Sequence, residues 1–592
     1  MSKENKLIIG SIVAVVIMAI GFTYAYFAAI IEGNRKNITI NMTDLRIIFN
    51  GGDTIEGSNL YSEDNFDVVK TFTIENKTKS GYEYNLVIED LVNTTATNDS
   101  LVYKITCDDS NGYNMDDFKE LPKSPVASNV TLAFNIGINK KSIQTYTIEI
   151  KYINKTDVDQ SADMGAILSG KLYISKGTPM PTLAEAMLRD NPTISERTDF
   201  SVTNIDNTTG TLYKTNKTED GSEVYYYSGN TTNNWVKFGK KTRASCTYNG
   251  KDVTYVIFSS ETLRNVESES ECTITNICQN EALGPLVGLS EEECGLAGST
   301  WTTDKATYNG LIENDIYWRI IRTNEDKSVR LLYAGLDTAT TTGYIVTSAY
   351  NSSYNDPMYV GYMYGTSGSL ANNRTNTNDS TIKTTIDTWY KENLLTVYDK
   401  YISKTAIYCN DRSVGSGTYS TSSTFYYGAG TRLDTDDNHI PVPTYKCGEN
   451  GTDGLFESTQ ATADKFSAST EGGGNGQLKY PVAMMTSDEL SFAGGKKFTN
   501  LISPYAWYYT NSQGKAITGS VMWLSLSPNE WDGSHAQVWF VHGSGSPGYL
   551  YDNGVNFGGG VRPVVSLASC VGIKSGDGTP SYPYVIDESS CS

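Results

Sequence analysis

The sequence predicts a mainly β, multidomain chain: an N-terminal transmembrane or signal helix, a β-sandwich stalk, and a C-terminal α+β domain carrying a small disulfide-stapled insertion. Four observations predict it. Short runs alternate apolar and polar residues between Asn-, Gly- and Ser-rich turns. The chain has 41 tyrosines and only 19% charged residues, a composition that suits strands. Residues 7–31 carry no charge, and about 20 apolar residues suffice for a helix to cross a bilayer. Eight of the nine cysteines fall into sequence-local couples, as in disulfide-bonded proteins of oxidising compartments. The formal net charge of −20 repels phosphate backbones and no basic tract offsets it, so nucleic acid is excluded as a partner.

Residues 1–36 are expected as a signal anchor or signal peptide. Lys3 and Lys6 precede the apolar run and Glu32, Arg35 and Lys36 follow it, which predicts membrane contact through residues 7–31. Small residues around Ala25 also permit cleavage there. Residues 37–176 read as the β-sandwich. Tyr82, Tyr84, Leu86 and Ile88 share one strand face, as do Tyr146, Ile148, Ile150 and Tyr152. The ninth cysteine, Cys107, shares parity with Leu101, Tyr103 and Ile105 and is expected as a buried thiol.

Residues 177–239 open the C-terminal domain. Thr182 and Glu185 make a capping box for a short helix that Pro192 ends. Residues 240–310 are the insertion, with Cys246/Cys272 and Cys278/Cys294 as its couples. A disulfide there staples a segment too small for a core of its own. Residues 311–592 complete the domain. Asp315–Gly335 reads as a hairpin. Ser380 caps an amphipathic helix whose stripe is Ile382, Ile386, Trp389, Leu394 and Val397. Cys409/Cys447 and Cys570/Cys591 are the remaining couples. Asp434, Asp436, Asp437 and Asn438 offer oxygens to Ca²⁺, but the loop lacks the glycine and distal glutamate of an EF-hand, and a solvated turn is expected. The cysteine spacing makes no zinc site. Neither a metal nor a cofactor is expected.

Two resemblances add to this reading. The leader Gly21-Phe22-Thr23-Tyr24-Ala25-Tyr26-Phe27, followed by a sandwich, resembles the camelysin and TasA group of exported Gram-positive proteins. It implies export and, for some members, fibre formation. From about residue 178, "TLAEAMLRDNPT", "YWRIIRTNEDKSVRLLYAG", "STIKTTIDTWYKENL", "MTSDELSFAGG", "WLSLSP" and "GVRPVVSL" together resemble an uncharacterised domain family of exported bacterial proteins. The last of these resemble the end of the C-type-lectin-like fold shared with formylglycine-generating enzymes and the variable receptors of diversity-generating retroelements. The implied location is the bacterial cell surface, membrane-anchored with the C-terminal part outside, or secretion after cleavage near Ala25.

The stretch Trp523–Leu567 holds His535, His542, Trp523, Trp531 and Trp539 on a polar, glycine-rich background. Ala536, Val538 and Phe540 alternate with His535, Gln537, Trp539 and Val541, so one face is expected in the core and the other as a mixed aromatic and polar surface. Rigid aromatic rings beside adaptable amides are the chemistry of binding surfaces. The candidate ligand-binding residues are Asn529, Trp531, His535, Gln537, Trp539, His542, Tyr549, Tyr551 and Asn556. The expected function is adhesion: a lectin-like head on a sandwich stalk, recognising a glycan or a surface protein. The alternative is a fibre or biofilm-matrix subunit that self-assembles through the sandwich. An enzyme is not expected. His439, His535 and His542 are the chain's three histidines, and no Ser-His-Asp, Cys-His or metal set is legible. Chemistry like that of formylglycine-generating enzymes requires free thiols at positions such as Cys409 or Cys570.

Overall fold

The computed structural model describes residues 27–31, 38–39, 47–50, 55–56 and 66–592, apart from 98–99, 116, 124–128, 156–158, 164, 179, 204, 206–209, 258–261, 282, 297, 436–438, 449–463, 589 and 592. The chain is mainly β with some helices. It divides into two units at Met180/Pro181.

In the first unit, two sheets face each other. One runs in the order Ile55–Glu56, Phe27–Ile31, Ala166–Lys176, Tyr82–Asn93, Asn129–Ile138. The other runs Ile38–Thr39, Ile47–Asn50, Phe66–Asn76, Ile143–Tyr152, Leu101–Cys107, Lys119–Glu120. The strand Ile143–Tyr152 alternates strictly, with Gln144, Tyr146, Ile148, Ile150 and Tyr152 buried. Tyr84 of the first sheet meets Tyr146 of the second, hydroxyl to hydroxyl, at 2.6 Å. Tyr84 also donates to Gln144 Oε1 at 2.9 Å, so neither buried phenol lacks a partner. A bulge near Asn85 breaks simple parity in Tyr82–Asn93: Leu86, Val87 and Ile88 are all buried while Tyr82 is half-buried. Cys107 is half-buried rather than in the core, and its thiol is unbonded to another cysteine.

The expected N-terminal transmembrane helix is corrected here. Phe27–Ile31, the end of the apolar run, is a strand paired in parallel with Ala166–Gly170. A run of Phe, Ala and Ile is as compatible with a strand as with a helix, and the neighbouring strand offers it a backbone ladder. Among the described residues no helix is long and apolar enough to cross a membrane. The expected membrane contact through residues 7–31, and the membrane-anchored location that rested on it, are corrected to this extent: residues 27–31 belong to a sheet rather than to a spanning helix, and residues 7–26 lie outside the described residues. Ala25, the expected cleavage point, lies outside the described residues.

The second unit begins at Pro181. Thr182 and Glu185 cap the helix Leu183–Asp190 reciprocally. A long hairpin, Trp235–Tyr248 against Thr307–Thr323, carries the insertion at its tip. The insertion forms its own sheet, Thr262–Asn265, Thr254–Ile257, Gly284–Val287, Thr275–Asn280, Thr300–Lys305. Disulfides Cys246–Cys272 and Cys278–Cys294 run through its two small cores. Cys409–Cys447 and Cys570–Cys591 are also bonded. The near-terminal strand Pro563–Leu567 pairs with Val329–Leu332 of the returning hairpin strand, which closes the unit around one large core containing Trp318, Trp507, Trp523, Trp531 and Trp539. Arg562 beside it is fully buried and donates from Nη1 to the Tyr508 carbonyl at 2.8 Å. The helix Thr381–Asn393 is capped by Ser380 and buries Ile382, Ile386 and Trp389. It ends before Val397, which is exposed.

A second sheet bears the C-terminal signature. Its order is Thr347–Ala349, Gly558–Gly560, Trp523–Trp531, Phe425–Tyr427, Val414–Ser416. Ala536–Val541 pairs with Trp523–Trp531 on one side and with Leu550–Gly554 on the other. The segment around Lys497 then bridges to Leu550.

Candidate functional site

The nine sequence-derived candidates separate into three groups. Asn529, Trp531 and Trp539 are buried, at 1%, 2% and 0% exposure. Trp531 stands opposite Phe425 and Ala536 in the sheet and belongs to the core. Trp539 lies on the face expected to be open, but Lys497 closes over it, its Nζ 5.6 Å from the ring. Strand alternation is blind to a segment that covers the second face. Neither indole N–H has a hydrogen-bond partner among the described residues. Both rings therefore belong to the packed core.

A second group lies at the far turn. His535 is exposed, stacks on Tyr354 at 5.0 Å and 9° between planes, and has Nδ1 2.8 Å from Ser534 Oγ. Gln537 donates to Asp532 Oδ2 at 3.1 Å. Asn556 is exposed on the turn that follows Leu550–Gly554.

The third group comes together. Tyr549 and Tyr551 flank Phe498, a residue the sequence reading passed over, and His542 packs on both tyrosines. Phe498 lies 6.0 Å from both tyrosine rings, and His542 lies 5.4 Å from Tyr549 and 5.7 Å from Tyr551. Phe498 is 43% exposed and Tyr551 37%. Hydrogen bonding fixes the approach: the Phe498 N–H donates to the Leu550 carbonyl at 3.0 Å. Phe498 also sits at φ 55°, an outlying conformation for a bulky residue. Partial burial holds the His542 imidazole below its usual pKa, so near neutral pH it is an uncharged ring. Its one sequence signal was a single aromatic in the polar loop "GGKKFTN".

Beside this edge lies a polar cluster. Glu530 stands opposite both Tyr426 and Gln537, and Asp552 opposite Trp539. Lys497 pairs with Asp434 at 3.2 Å. Burial pushes the Glu530 carboxyl above its usual pKa, and the Asp552 charge adds to this. Burial does the same to Asp552, partly offset by Lys497 and the Asn529 amide. The Glu530 charge, the largest cause, pushes the Tyr426 phenol up to about 12. Native Glu530 and Asp552 therefore hold protons to higher pH than the unfolded chain does. Stability then falls as pH rises through their native values. Glu530→Gln is expected to raise the thermal midpoint at pH 7 and to lose that advantage by about pH 4, the ordinary carboxylate value. Melting curves across that range check it.

Of the residues weighed for Ca²⁺, Asp434 is taken by Lys497, and Asp436, Asp437 and Asn438 lie outside the described residues. Among the described residues no group of three or more His, Cys, Asp or Glu is placed to hold a metal ion. Cys409 and Cys570 are both in disulfides. No family model, no curated protein and no solved structure matches the chain, so the functional reading rests on these side chains.

Proposed function

We propose that this chain is a binding protein whose C-terminal unit receives a glycan on the aromatic edge at Phe498, His542, Tyr549 and Tyr551. The carrying observation is that four rings gather at one strand edge, with Phe498 substantially exposed and held in an outlying backbone conformation. Flat rings offer the apolar faces of sugars large contact area at small loss of side-chain freedom. The carboxylates and amides alongside can accept and donate to hydroxyl groups. Four disulfides hold the scaffold, in keeping with an oxidising compartment.

The test is a glycan array, run beside a panel of surface proteins, with the oxidised full chain and a Phe498→Ala/Tyr551→Ala variant. Each ring is worth roughly 0.5–1.5 kcal/mol of contact, so the double variant should lose about tenfold or more in affinity for the glycan. Its unfolding midpoint should stay at the parental value, since both rings are partly exposed. Undiminished binding by the folded variant would remove the edge from consideration. Binding to a protein alone would replace the glycan as ligand.

A further inference from the structure

Two arginines inside the C-terminal unit carry charge that no carboxylate answers. Arg562 is 0% exposed and Arg319 is 2% exposed. Arg562 donates from Nε to the Tyr333 carbonyl at 3.1 Å and from Nη1 to the Tyr508 carbonyl at 2.8 Å. Arg319 donates from Nε to Asn234 Oδ1 at 2.6 Å, from Nη1 to the Thr510 carbonyl at 3.1 Å and from Nη2 to the Thr231 carbonyl at 3.2 Å. Both guanidinium groups thus meet the short stretch 508–510, and they are close enough for Arg562 to disfavour the charge on Arg319.

Other buried arginines of this unit are paired. Arg322 and Arg330 share Glu489, Arg432 lies between Asp411 and Asp488, and Arg412 is held by Asp464. Among the described residues neither Arg319 nor Arg562 has an ion-pair partner. Their other neighbours are indole faces, Trp523 at 4.7 Å from Arg562 and Trp235 at 4.3 Å from Arg319. Carbonyls and aromatic rings offer partial charge, not a counter-ion. Buried charges are ordinarily paired, because an unpaired one gives up its hydration for too little in return.

Arg562 also has a donor to spare. Its Nη2 is buried without a hydrogen-bond partner among the described residues. A guanidinium keeps its proton at ordinary pH, so the donor and the charge persist together. An acceptor with negative charge answers both. It has to be small, because Arg562 is wholly enclosed in a close-packed interior. A carboxylate or phosphate would displace core side chains, whereas a monatomic anion needs little more than the room of one water, about 30 Å³. A water molecule would satisfy Nη2 but leave both charges unanswered.

We propose that the C-terminal unit binds one chloride ion in its interior, on Nη2 of Arg562 and in the field of Arg319.

The test is thermal unfolding of the oxidised full chain, with chloride replacing gluconate at fixed ionic strength. Tryptophan fluorescence reports this unit, since all eight tryptophans lie beyond residue 181. The midpoint should rise by roughly 1–3 °C for each tenfold increase in chloride once the site is filled, and bromide should act in the same way. Arg562→Met removes the charge and the spare donor together, so its midpoint should not respond to chloride. General salt effects would persist in that variant. Crystals of the parent grown in bromide give a reading that needs no variant: anomalous scattering should appear within hydrogen-bond reach of Arg562 Nη2. The proposal is overturned if the parental midpoint ignores chloride, if the folded variant responds as the parent does, or if the bromide crystals show no scatterer at Arg562.

Discussion

Glu489→Gln is expected to destabilise the C-terminal unit by about 3–5 kcal/mol, the usual loss when one partner of a buried ion pair is removed. Glu489 is 1% exposed and its Oε1 accepts from both Arg322 and Arg330. The substitution leaves the buried Arg330 guanidinium without a carboxylate and Arg322 with only Glu325, 3.9 Å away. It leaves the helix start intact, because glutamine can also serve at the third position of a capping box, where Glu489 Oε2 accepts from the Thr486 N–H at 3.0 Å. The loss therefore reports the charge rather than the cap. Burial alone would raise the Glu489 pKa, but Arg330 and Arg322 outweigh it and hold the carboxyl below its usual value. Its contribution is thus present above the ordinary carboxylate pKa and is lost as pH falls through the lower native value. The gap between parent and variant should be full at pH 7 and close only in acid. Urea unfolding followed by tryptophan fluorescence measures it. All eight tryptophans lie beyond residue 181, so the signal belongs to this unit. Equal stability of the two proteins at pH 7 would show that the network carries no net stabilisation.

What the sequence made legible was local. The Thr182/Glu185 capping box, the Ser380 cap, the alternation of Ile143–Tyr152 and the cysteine couples are each decided within a few turns of chain or a short loop. The Arg322–Glu489 and Arg432–Asp488 pairs were not legible, because their members lie far apart in sequence and nothing nearby marks them as partners. The end of the leader, Phe27–Ile31, was misread for a different reason. An apolar run shows that a segment is to be buried, not whether it is buried as helix or as strand, and Phe27–Ile31 found a strand partner. The candidate site was half legible. Period-two alternation separated the faces of Ala536–Val541, but which face is covered depends on Lys497, a residue from another part of the chain. The same segment supplies Phe498, so the error over Trp539 and the omission of Phe498 have one cause.

That cause has a measurable consequence at Trp539. A ligand-contacting tryptophan can be removed with little effect on folding, whereas Trp539→Ala is expected to cost about 3–5 kcal/mol, as for other large buried rings. The ring is fully buried, stands opposite Asp552 and lies beneath Lys497. Its removal leaves a cavity and strips the covering ammonium of a surface to pack on. Trp539→Phe should cost much less. Phenylalanine fills most of the volume, and the substitution also removes an indole N–H that has no partner among the described residues, a group that carries about 1–3 kcal/mol of desolvation penalty in the parent. The order of stability in urea should therefore be parent, Trp539→Phe, Trp539→Ala, with the larger step second. Glycan affinity, read on whatever fraction stays folded, should be unchanged in Trp539→Phe, because the rings that face solvent are those around Phe498. A Trp539→Phe variant that keeps its stability but loses the ligand would return this strand face to the binding surface.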